Sequence, residues 1–375
     1  MSANDGPLAA YGWSAARRRE YDRLVEEAGL DAGRCQPARA VRVIRSFARL
    51  AVAGSDARDD AVETDARIPG RLRVDRGERP AVGDWTVLEA APGTEGVVQA
   101  ILPRASKLSR KVAGARTEEQ VLAANVDTVF LVMGLDGDYN LRRLERLAVA
   151  AHQSGAEPVV VLTKADVLDA EALRERRDEV TDAAPGVPVF PVSSVSGLGL
   201  EPLRLYLEVG QTVVLLGSSG VGKSTLLNTL VGREVMKTGE VREGDDRGKH
   251  TTTHRELVLL PGGGLLIDGP GLREMQLWLD EDPDDALADA FTDIEEFAAG
   301  CRFRDCTHHQ EPGCAVRGAV EAGELEGSRL GNYHALQKEL VALERKKDVA
   351  ADRQFFKKQG KLYKRIQGEK KGRRR

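Results

Sequence analysis

Residues 212–227, TVVLLGSSGVGKSTLL, carry the clearest chemical signal in the chain. The apolar run 213–216 predicts a buried strand, and residues 217–224 fit the phosphate-loop pattern G-x-x-x-x-G-K-[ST] in full. Glycines allow backbone N–H groups to turn inward around phosphate oxygens, and a helix opening at Thr225 would add its positive N-terminal end. Lys223 would then bridge the β and γ phosphates, while Ser224 would bind Mg²⁺. The predicted phosphate-binding residues are Gly217, Ser218, Ser219, Gly220, Val221, Gly222, Lys223, Ser224 and Thr225.

A second motif would decide which base is bound. Residues 159–166, VVVLTKAD, resemble a buried strand followed by the guanine-reading [NT]-K-x-D signature of GTPases. A carboxylate at Asp166 accepts from both N1–H and the amino group of guanine, donors that adenine does not offer in that arrangement. Thr163 replaces the usual Asn, which should weaken the bridge to neighbouring loops, and a supporting loop follows at residues 191–194. The predicted base-reading residues are Thr163, Lys164, Ala165, Asp166, Ser193 and Ser194.

Two further segments are typical of a nucleotide-dependent switch. Residues 268–271, DGPG, resemble the D-x-x-G element, in which Asp268 would hold Mg²⁺ through water and Gly271 would contact the γ-phosphate. The segment 247–256, RGKHTTTHRE, lies before it. One of its three threonines would complete the Mg²⁺ shell, and we favour Thr252.

The residue after D-x-x-G bears on hydrolysis. Ras-like GTPases place a water-orienting Gln there, whereas this chain has Leu272, which cannot orient water. Intrinsic turnover is therefore expected to be slow. His250 is the candidate replacement for the Gln; the alternative is that His250 only packs or contacts RNA.

The order of these motifs differs from that of an ordinary GTPase, where the phosphate loop comes first. Here the guanine-reading motif at 163 and its support at 193 precede the phosphate loop at 217 and DGPG at 268. The same sheet can be built with its chain cut elsewhere because domain termini are often close in space. The order predicts a circularly permuted GTPase domain whose second switch runs directly into the C-terminal region.

That C-terminal region contains a candidate metal site in residues 301–314, CRFRDCTHHQEPGC. Three thiolates and one imidazole would make a closed tetrahedral zinc site, which implies a structural role. From spacing alone either His308 or His309 could be the fourth ligand. The alternative is a group of buried thiols without metal.

Short β patterns separated by Pro and Gly occupy the N-terminal part of the chain and suit a small closed barrel such as an OB-fold. The predicted strands are residues 39–44, 47–52, 67–74, 85–89 and 96–101. Arginines could contact RNA phosphates on such a barrel, although the barrel could also merely pack on its neighbour. These arginines are Arg39, Arg42, Arg45, Arg49, Arg71 and Arg73.

Strands and helices alternate after a basic linker at residues 104–114, which predicts a largely parallel sheet covered on both faces. The strands are predicted at residues 126–133, 158–162, 187–192, 213–216, 256–260 and 264–267, the last two forming an antiparallel hairpin edge. The intervening helices are predicted at residues 141–154, 171–183 and 200–207.

Composition excludes several classes of protein. The 375 residues contain no apolar run of membrane-spanning length, and the N-terminus lacks the pattern of a signal peptide. We therefore expect a cytoplasmic protein without membrane contact. Residues 353–375 hold eleven Lys/Arg and one acidic residue, so the rest of this chain of net charge −4 carries about −14. A basic tail on an acidic body indicates a polyanionic partner.

Taken together, the barrel, the permuted motifs, RGKHTTTHRE and the Cys-rich segment resemble the ribosome small-subunit-dependent GTPase A family (RsgA, also YjeQ) over about residues 38–345. The resemblance implies an OB-fold, a permuted α/β P-loop GTPase domain and a mostly helical zinc domain. It also implies late 30S maturation, contact with 16S rRNA, and slow GTP hydrolysis stimulated by the 30S particle. Lys249, where Arg is commoner, and the long basic tail depart from the family pattern.

The resemblance further implies which ligands would hold zinc and leaves His309 outside the shell. The implied ligands are Cys301, Cys306, His308 and Cys314. We divide the chain into an extension (1–37), an RNA-binding OB-fold barrel (38–108), the permuted GTPase domain (109–279), the zinc domain (280–350) and the basic tail (351–375).

Three functions follow from these motifs. The first is a monomeric ribosome-assembly GTPase in which nucleotide state controls release from the rRNA. The second is an RNA-binding scaffold that GTP regulates and in which hydrolysis is incidental. A P-loop ATPase or kinase is the third, and Asp166 disfavours it.

Overall fold

The computed structural model describes residues 6–54, 60–74, 79–90, 95–111, 119–236, 255–268, 287–288, 290–338 and 341. The strands are β1 Cys35–Ile44, β2 Phe47–Val52, β3 Val62–Arg67, β4 Trp85–Glu89, β5 Gly96–Ile101, β6 Lys107–Lys111, β7 Glu119–Ala124, β8 Thr128–Gly134, β9 Glu157–Thr163, β10 Val189–Pro191, β11 Thr212–Leu216, β12 Glu256–Leu259 and β13 Leu265–Asp268. The helices are α1 Ala15–Glu27, α2 Arg71–Val74, α3 Leu141–Gln153, α4 Ala170–Ala183, α5 Glu201–Arg204, α6 Lys223–Val231, α7 Thr292–Ala298, α8 Ala315–Ala322 and α9 at residues 327–338. None of the helices in this described part of the chain has the length and apolar character of a membrane span.

The first five strands close into a barrel. Their order is β1-β2-β3-β5-β4, and β1 pairs with β4 to complete the circle. All neighbours are antiparallel except β3 and β5, which are parallel. Apolar side chains such as Leu50, Ile68 and Val98 fill the interior. The five-stranded barrel expected from the turn spacing is confirmed.

The third barrel strand differs from its predicted position at residues 67–74. The strand is β3, which ends at Arg67, and residues 71–74 form the helical turn α2 instead. Only Ala66 of β3 is buried, so the strand reads VETDAR and lacks an apolar signal. Pro69-Gly70 then separates β3 from α2, because Pro has no N–H to donate to a sheet.

The predicted basic linker at residues 104–114 is also wrong in part, because Lys107–Lys111 form β6. This strand pairs antiparallel with β7 in a two-stranded sheet. The fully buried side chain of Leu108 anchors β6, and Lys107 forms an ion pair with Glu119 across the hairpin at 3.3 Å. The sequence predicted a linker here because Leu108 is the one apolar residue of β6, among lysines and an arginine.

The central sheet has the order β10-β9-β8-β11-β13-β12. Its strands are parallel except β12, which forms the predicted antiparallel hairpin with β13. Consecutive residues of β8 alternate between two cores: Val129 packs in the core that includes α3 and α4, and Phe130 in the core that includes α5 and α6. A sheet with helices on both faces is typical of apolar strands without polar alternation.

The outer side of β12 is not a free edge, because it meets the barrel. Arg42 of β1 lies in register with Glu256 of β12, and their side chains form an ion pair at 3.2 Å. One eleven-stranded sheet therefore runs from the parallel strands into the barrel. Arg42, which the sequence makes a candidate for RNA contact, thus links the barrel to the central sheet.

Arg39 of β1 joins the N-terminal extension, the barrel and the central sheet. Its side chain is 2% exposed and donates to the carbonyl oxygen of Tyr11, to Gly83 O at 3.3 Å, to Asn125 O at 3.0 Å and to Thr212 Oγ1 at 2.9 Å. Burial lowers the pKa of its guanidinium to about 10, so it stays protonated at pH 7. The expectation that Arg39 contacts RNA phosphates is therefore wrong; it is a buried cross-link.

The C-terminal helices pack against α3. Phe291, Val316 and Tyr333 share a core with Val149 of α3. Arg329 lies in the same interface and donates to Glu145 Oε1 at 3.0 Å, to both carboxylate oxygens of Asp293 at 2.9 Å and to the carbonyl oxygen of Ala183 at 2.6 Å.

Burying the Arg329–Glu145 ion pair in this interface costs desolvation free energy. Burial raises the pKa of Glu145, and its partner Arg329 opposes that shift by favouring the charged form. An ion pair this deeply buried is sensitive to loss of either member. The C-terminal domain is therefore fixed to the face of the sheet that carries α3 and α4.

We predict that Arg39→Met destabilises the protein by about 3 kcal/mol, because it leaves several buried acceptors without a donor. Urea unfolding followed by tryptophan fluorescence measures this change, since Trp13 and Trp85 lie against each other with ring centroids 4.8 Å apart, beside Arg39. The matched control is Arg42→Met on the same strand, whose partly exposed ion pair is worth about 1 kcal/mol or less. Equal effects of the two substitutions would contradict the role of Arg39.

Candidate functional site

Three adjacent parallel strands deliver the predicted nucleotide motifs to one edge of the sheet. β8 lies between β9 and β11, with Gly134 in register with Thr163 and Leu131 in register with Leu216. The carboxyl ends of neighbouring parallel strands meet at the same edge, where open α/β sheets bind their ligands. The loops after β9 and β11 therefore face each other across the end of β8.

The phosphate loop turns sharply where the sequence has glycine. A Cβ on Gly217 would lie 2.3 Å from Val132 O, and Gly222 has a φ of 96° immediately before α6. Helix α6 begins at Lys223, two residues earlier than predicted. The Lys223 ammonium lies 2.9 Å from Gly217 O and also contacts Ser218 O, so it is held over its own loop. Ser224 follows in the first turn of α6.

Thr163 connects the end of β9 to the phosphate loop. From the sequence, this connection is expected to be weaker with Thr163 than with the usual Asn. Its Oγ1 donates to Val221 O of the phosphate loop at 2.6 Å and lies 3.4 Å from Met133 O of β8. A threonine hydroxyl has one hydrogen, so it satisfies one partner fully, whereas an asparagine amide has two donors. One short bond is enough here to tie the end of β9 to the phosphate loop.

The supporting loop holds Asp166 by a direct hydrogen bond. Ser193 Oγ donates to Asp166 Oδ1 at 2.5 Å and accepts from the N–H groups of Val195 and Ser196 at 3.2 and 3.1 Å. The N–H of Ser193 itself donates to Leu198 O at 3.0 Å. Ser193 therefore orients Asp166, which leaves the N–H of Ser194 as the candidate donor to a guanine carbonyl.

The switch residues are only partly described. Asp268 ends β13, which pairs in parallel with β11, so it lies at the same edge beside the phosphate loop. His250, Thr252, Gly271 and Leu272 lie outside the described residues. Their roles stay predictions from sequence.

One loop at this edge contains no recognised nucleotide-binding motif. Residues 134–140, GLDGDYN, begin at the last residue of β8, and two of their carboxylates reach the nucleotide motifs. Asp136 Oδ2 is 2.5 Å from Lys164 Nζ, and Asp138 Oδ1 accepts from Ser218 Oγ at 2.5 Å. The loop matches no named signature. Its position after β8, the strand between β9 and β11, could nevertheless have predicted that it lies beside the nucleotide motifs.

The predicted metal ligands come together in the C-terminal domain. One ligand atom from each of Cys301, Cys306, His308 and Cys314 lies within 4.8 Å of the others. His308 Nδ1 is 3.6 Å from Cys301 Sγ and 3.5 Å from Cys314 Sγ, and the two sulfurs are 3.9 Å apart. Metal–ligand bonds of zinc length would put tetrahedral sulfurs roughly 3.8 Å apart, so these spacings fit one metal ion.

The two neighbouring histidines differ sharply in environment. His308 is buried, and burial lowers the pKa of its imidazole, so the ring is neutral at pH 7 and able to ligate. His309 instead stacks on His334 with ring centroids 3.8 Å apart. The ambiguity that spacing left open is thereby resolved in favour of His308.

Comparison with known proteins agrees with this geometry. The RsgA GTPase family model matches residues 101–278. The small ribosomal subunit biogenesis GTPase RsgA of Streptomyces avermitilis is 43% identical over 350 residues, covering 93% of this chain and 90% of that protein. RsgA 1 of Oceanobacillus iheyensis is 45% identical over 289 residues, covering 76% of this chain and 81% of that protein. The chain belongs to the RsgA GTPase family. It is therefore a GTP-hydrolysing enzyme, as the guanine and phosphate motifs predicted.

Solved structures support the same assignment of fold. YjeQ from Thermotoga maritima is 26% identical, with a TM-score of 0.61, over 82% of this chain and 99% of that chain. YloQ, described as a circularly permuted GTPase, is 24% identical, with a TM-score of 0.58, over 82% of this chain and 96% of that chain. The circularly permuted GTPase fold, predicted from the motif order and implied by the resemblance to the RsgA family, is confirmed.

We predict that the purified protein carries one metal ion per chain and that Cys306→Ser loses it, with a lower thermal midpoint. Mass spectrometry of the metal content and a melting curve measure the two effects. Cys35→Ser is the control, because Cys35 lies on β1 in the barrel and is not a member of the four-ligand cluster. Full metal content in the Cys306 variant would contradict the four-ligand centre.

Proposed function

We propose that this enzyme assists late maturation of the small ribosomal subunit, binding the 30S particle and its 16S rRNA and hydrolysing GTP slowly until the particle stimulates it. The relatives at 43–45% identity are named as small ribosomal subunit biogenesis GTPases and align with most of the chain. The GTP-binding part of the proposal is carried by the juxtaposition of the guanine-reading and phosphate loops, joined by Thr163, whereas its ribosomal part rests on the relatives. We further propose that the protein is monomeric and cytoplasmic.

The guanine nucleotide would lie across the carboxyl ends of β9, β8 and β11. Asp166, held by Ser193, would accept the N1–H and amino protons of the base, and Ser194 N–H would donate to its carbonyl. The stem of Lys164 would cover the base. The loop from Gly217 to Thr225 would surround the phosphates, and Lys223 would neutralise their charge.

Hydrolysis would depend on the elements around the γ-phosphate. Ser224 and Thr252 would hold Mg²⁺, with Asp268 reaching it through water, and the ion would offset charge on the β and γ phosphates. Gly271 would contact the γ-phosphate. With Leu272 after D-x-x-G, water would be oriented by His250, and the particle would raise turnover by ordering this segment.

The barrel and the C-terminal domain would hold rRNA. The β1–β2 hairpin exposes Ile44 and Phe47, which are 40% and 47% accessible, beside Arg45. An exposed aromatic next to a cation suits base stacking with phosphate contact. His308 and its three cysteine neighbours would hold a structural zinc ion, because three thiolates and one imidazole leave no open position for catalysis.

The test is GTP turnover by the purified protein with and without 30S subunits, using ATP as the control substrate. We expect slow basal turnover, stimulation of at least about tenfold by 30S, and no effect with ATP. His250→Ala should remove most of the stimulation while GDP affinity is unchanged.

GTP binding without stimulation by 30S would overturn the proposed 30S-stimulated role and favour an RNA-binding scaffold that GTP regulates and in which hydrolysis is incidental. Stimulation that survives in the His250 variant would instead overturn only the assignment of that residue.

A further inference from the structure

The loop of residues 134–140 lies between the two halves of the proposed nucleotide site. It leaves the end of β8, which is flanked by β9 on one side and β11 on the other. Leu135 N–H donates to Thr163 O at 3.0 Å, which continues the β8–β9 pairing into the loop. The loop is therefore tied by its backbone to the strand that carries the guanine-reading motif.

Asp136 holds the lysine of that motif. Its Oδ2 lies 2.5 Å from Lys164 Nζ, which also donates to Gly220 O of the phosphate loop at 3.3 Å. The hydrogen bond from Lys164 keeps the pKa of Asp136 below its ordinary value, so Asp136 is ionised at pH 7. Lys164 has a φ of 60°, an uncommon conformation for a residue with a side chain, and two acceptors fix its ammonium there.

Asp138 holds the phosphate loop from the same side. Its Oδ1 accepts from Ser218 Oγ at 2.5 Å, and its Oδ2 forms an ion pair with Arg143 at 2.7 Å. The arginine offsets the negative charge that Asp138 brings close to a phosphate site. Asp136 thus contacts Lys164 of the guanine-reading motif, and Asp138 contacts Ser218 of the phosphate loop.

The absence of a side chain at Gly134 leaves space for the Asp136 carboxylate. A Cβ on Gly134 would lie 2.6 Å from Asp136 Oδ1, so a side chain there would displace the carboxylate. Asp136 Oδ1 also accepts from the backbone N–H of Asp138 at 3.2 Å, which ties this carboxylate to the backbone of the loop. The position of Asp136 is therefore built into the backbone of the loop and does not depend on a surface ion pair alone.

We propose that the loop of residues 134–140 is a positioning element for the guanine nucleotide, in which Asp136 holds Lys164 over the base position and Asp138 holds Ser218 in the phosphate loop. The inference rests on the proposed guanine site, because Asp136 acts on the base only through Lys164. Neither aspartate needs to touch the nucleotide. Both would contribute to GDP and GTP binding, since the base and the phosphates that the loop from Gly217 surrounds are common to the two nucleotides.

The test is a double-mutant cycle on nucleotide affinity with Asp136→Ala, Lys164→Ala and the double variant, measured by displacement of a fluorescent GDP analogue. We expect Asp136→Ala to weaken GDP and GTP alike by about fivefold, the upper range for an ion pair of this exposure. In the Lys164→Ala background the same substitution should cost less than about twofold, because its partner is gone. Asp22→Ala, which removes a more exposed ion pair on α1, away from the nucleotide motifs, is the control and should leave affinity unchanged.

The outcomes separate this inference from the function it rests on. If Lys164→Ala leaves GDP affinity unchanged, the proposed guanine site is wrong, and the inference is overturned with it. If Lys164→Ala weakens binding but Asp136→Ala does not, or costs the same in both backgrounds, only the inference is overturned. A melting curve for each variant shows whether a lost affinity follows from lost fold, and Asp136→Asn keeps the side-chain volume while removing the charge.

Discussion

The hydrogen bond from Thr163 Oγ1 to Val221 O, at 2.6 Å, is the constraint on which the proposed nucleotide site depends. In this proposal, base recognition and phosphate recognition come from loops after different strands, and a nucleotide can contact both only if the two loops are held at a fixed distance. The parallel order β9-β8-β11 brings the loops to one edge, and this bond sets their spacing. Cutting the chain elsewhere leaves both features intact, because neither depends on which motif comes first. Permutation is therefore compatible with an ordinary GTPase site.

Buried arginines connect this site to the rest of the molecule. Arg39 links the extension, the barrel and Thr212 at the start of the phosphate-loop strand. Arg329 links the C-terminal helices to Glu145 of α3 and to the end of α4. Each guanidinium offers five donors in a fixed fork, so one side chain satisfies acceptors from several elements at once. The flanking domains are thus held to the nucleotide-binding sheet by directional contacts as well as by apolar packing.

Local patterns predicted the elements and motifs but not the contacts between distant segments. The apolar strands β8, β9 and β11 and the phosphate loop were evident from the sequence, because each signal lies within about ten residues. The polar strand β3 was misplaced, since it buries only Ala66. Arg39 was predicted to contact RNA at the surface, whereas it is buried. Its acceptors at Tyr11, Asn125 and Thr212 are distant in sequence and are brought together only by the fold. The carboxylates of the 134–140 loop were missed for the same reason.

The most direct test of the account is the base preference of Asp166→Asn, measured as GDP and xanthosine diphosphate affinity in both proteins. Xanthine carries a carbonyl where guanine carries an amino group, so an asparagine amide can donate where the aspartate could only accept. We expect wild type to prefer GDP strongly and the variant to shift toward the xanthosine nucleotide by at least about tenfold. An unchanged preference would show that Asp166 does not read the base and that the nucleotide lies elsewhere along this edge.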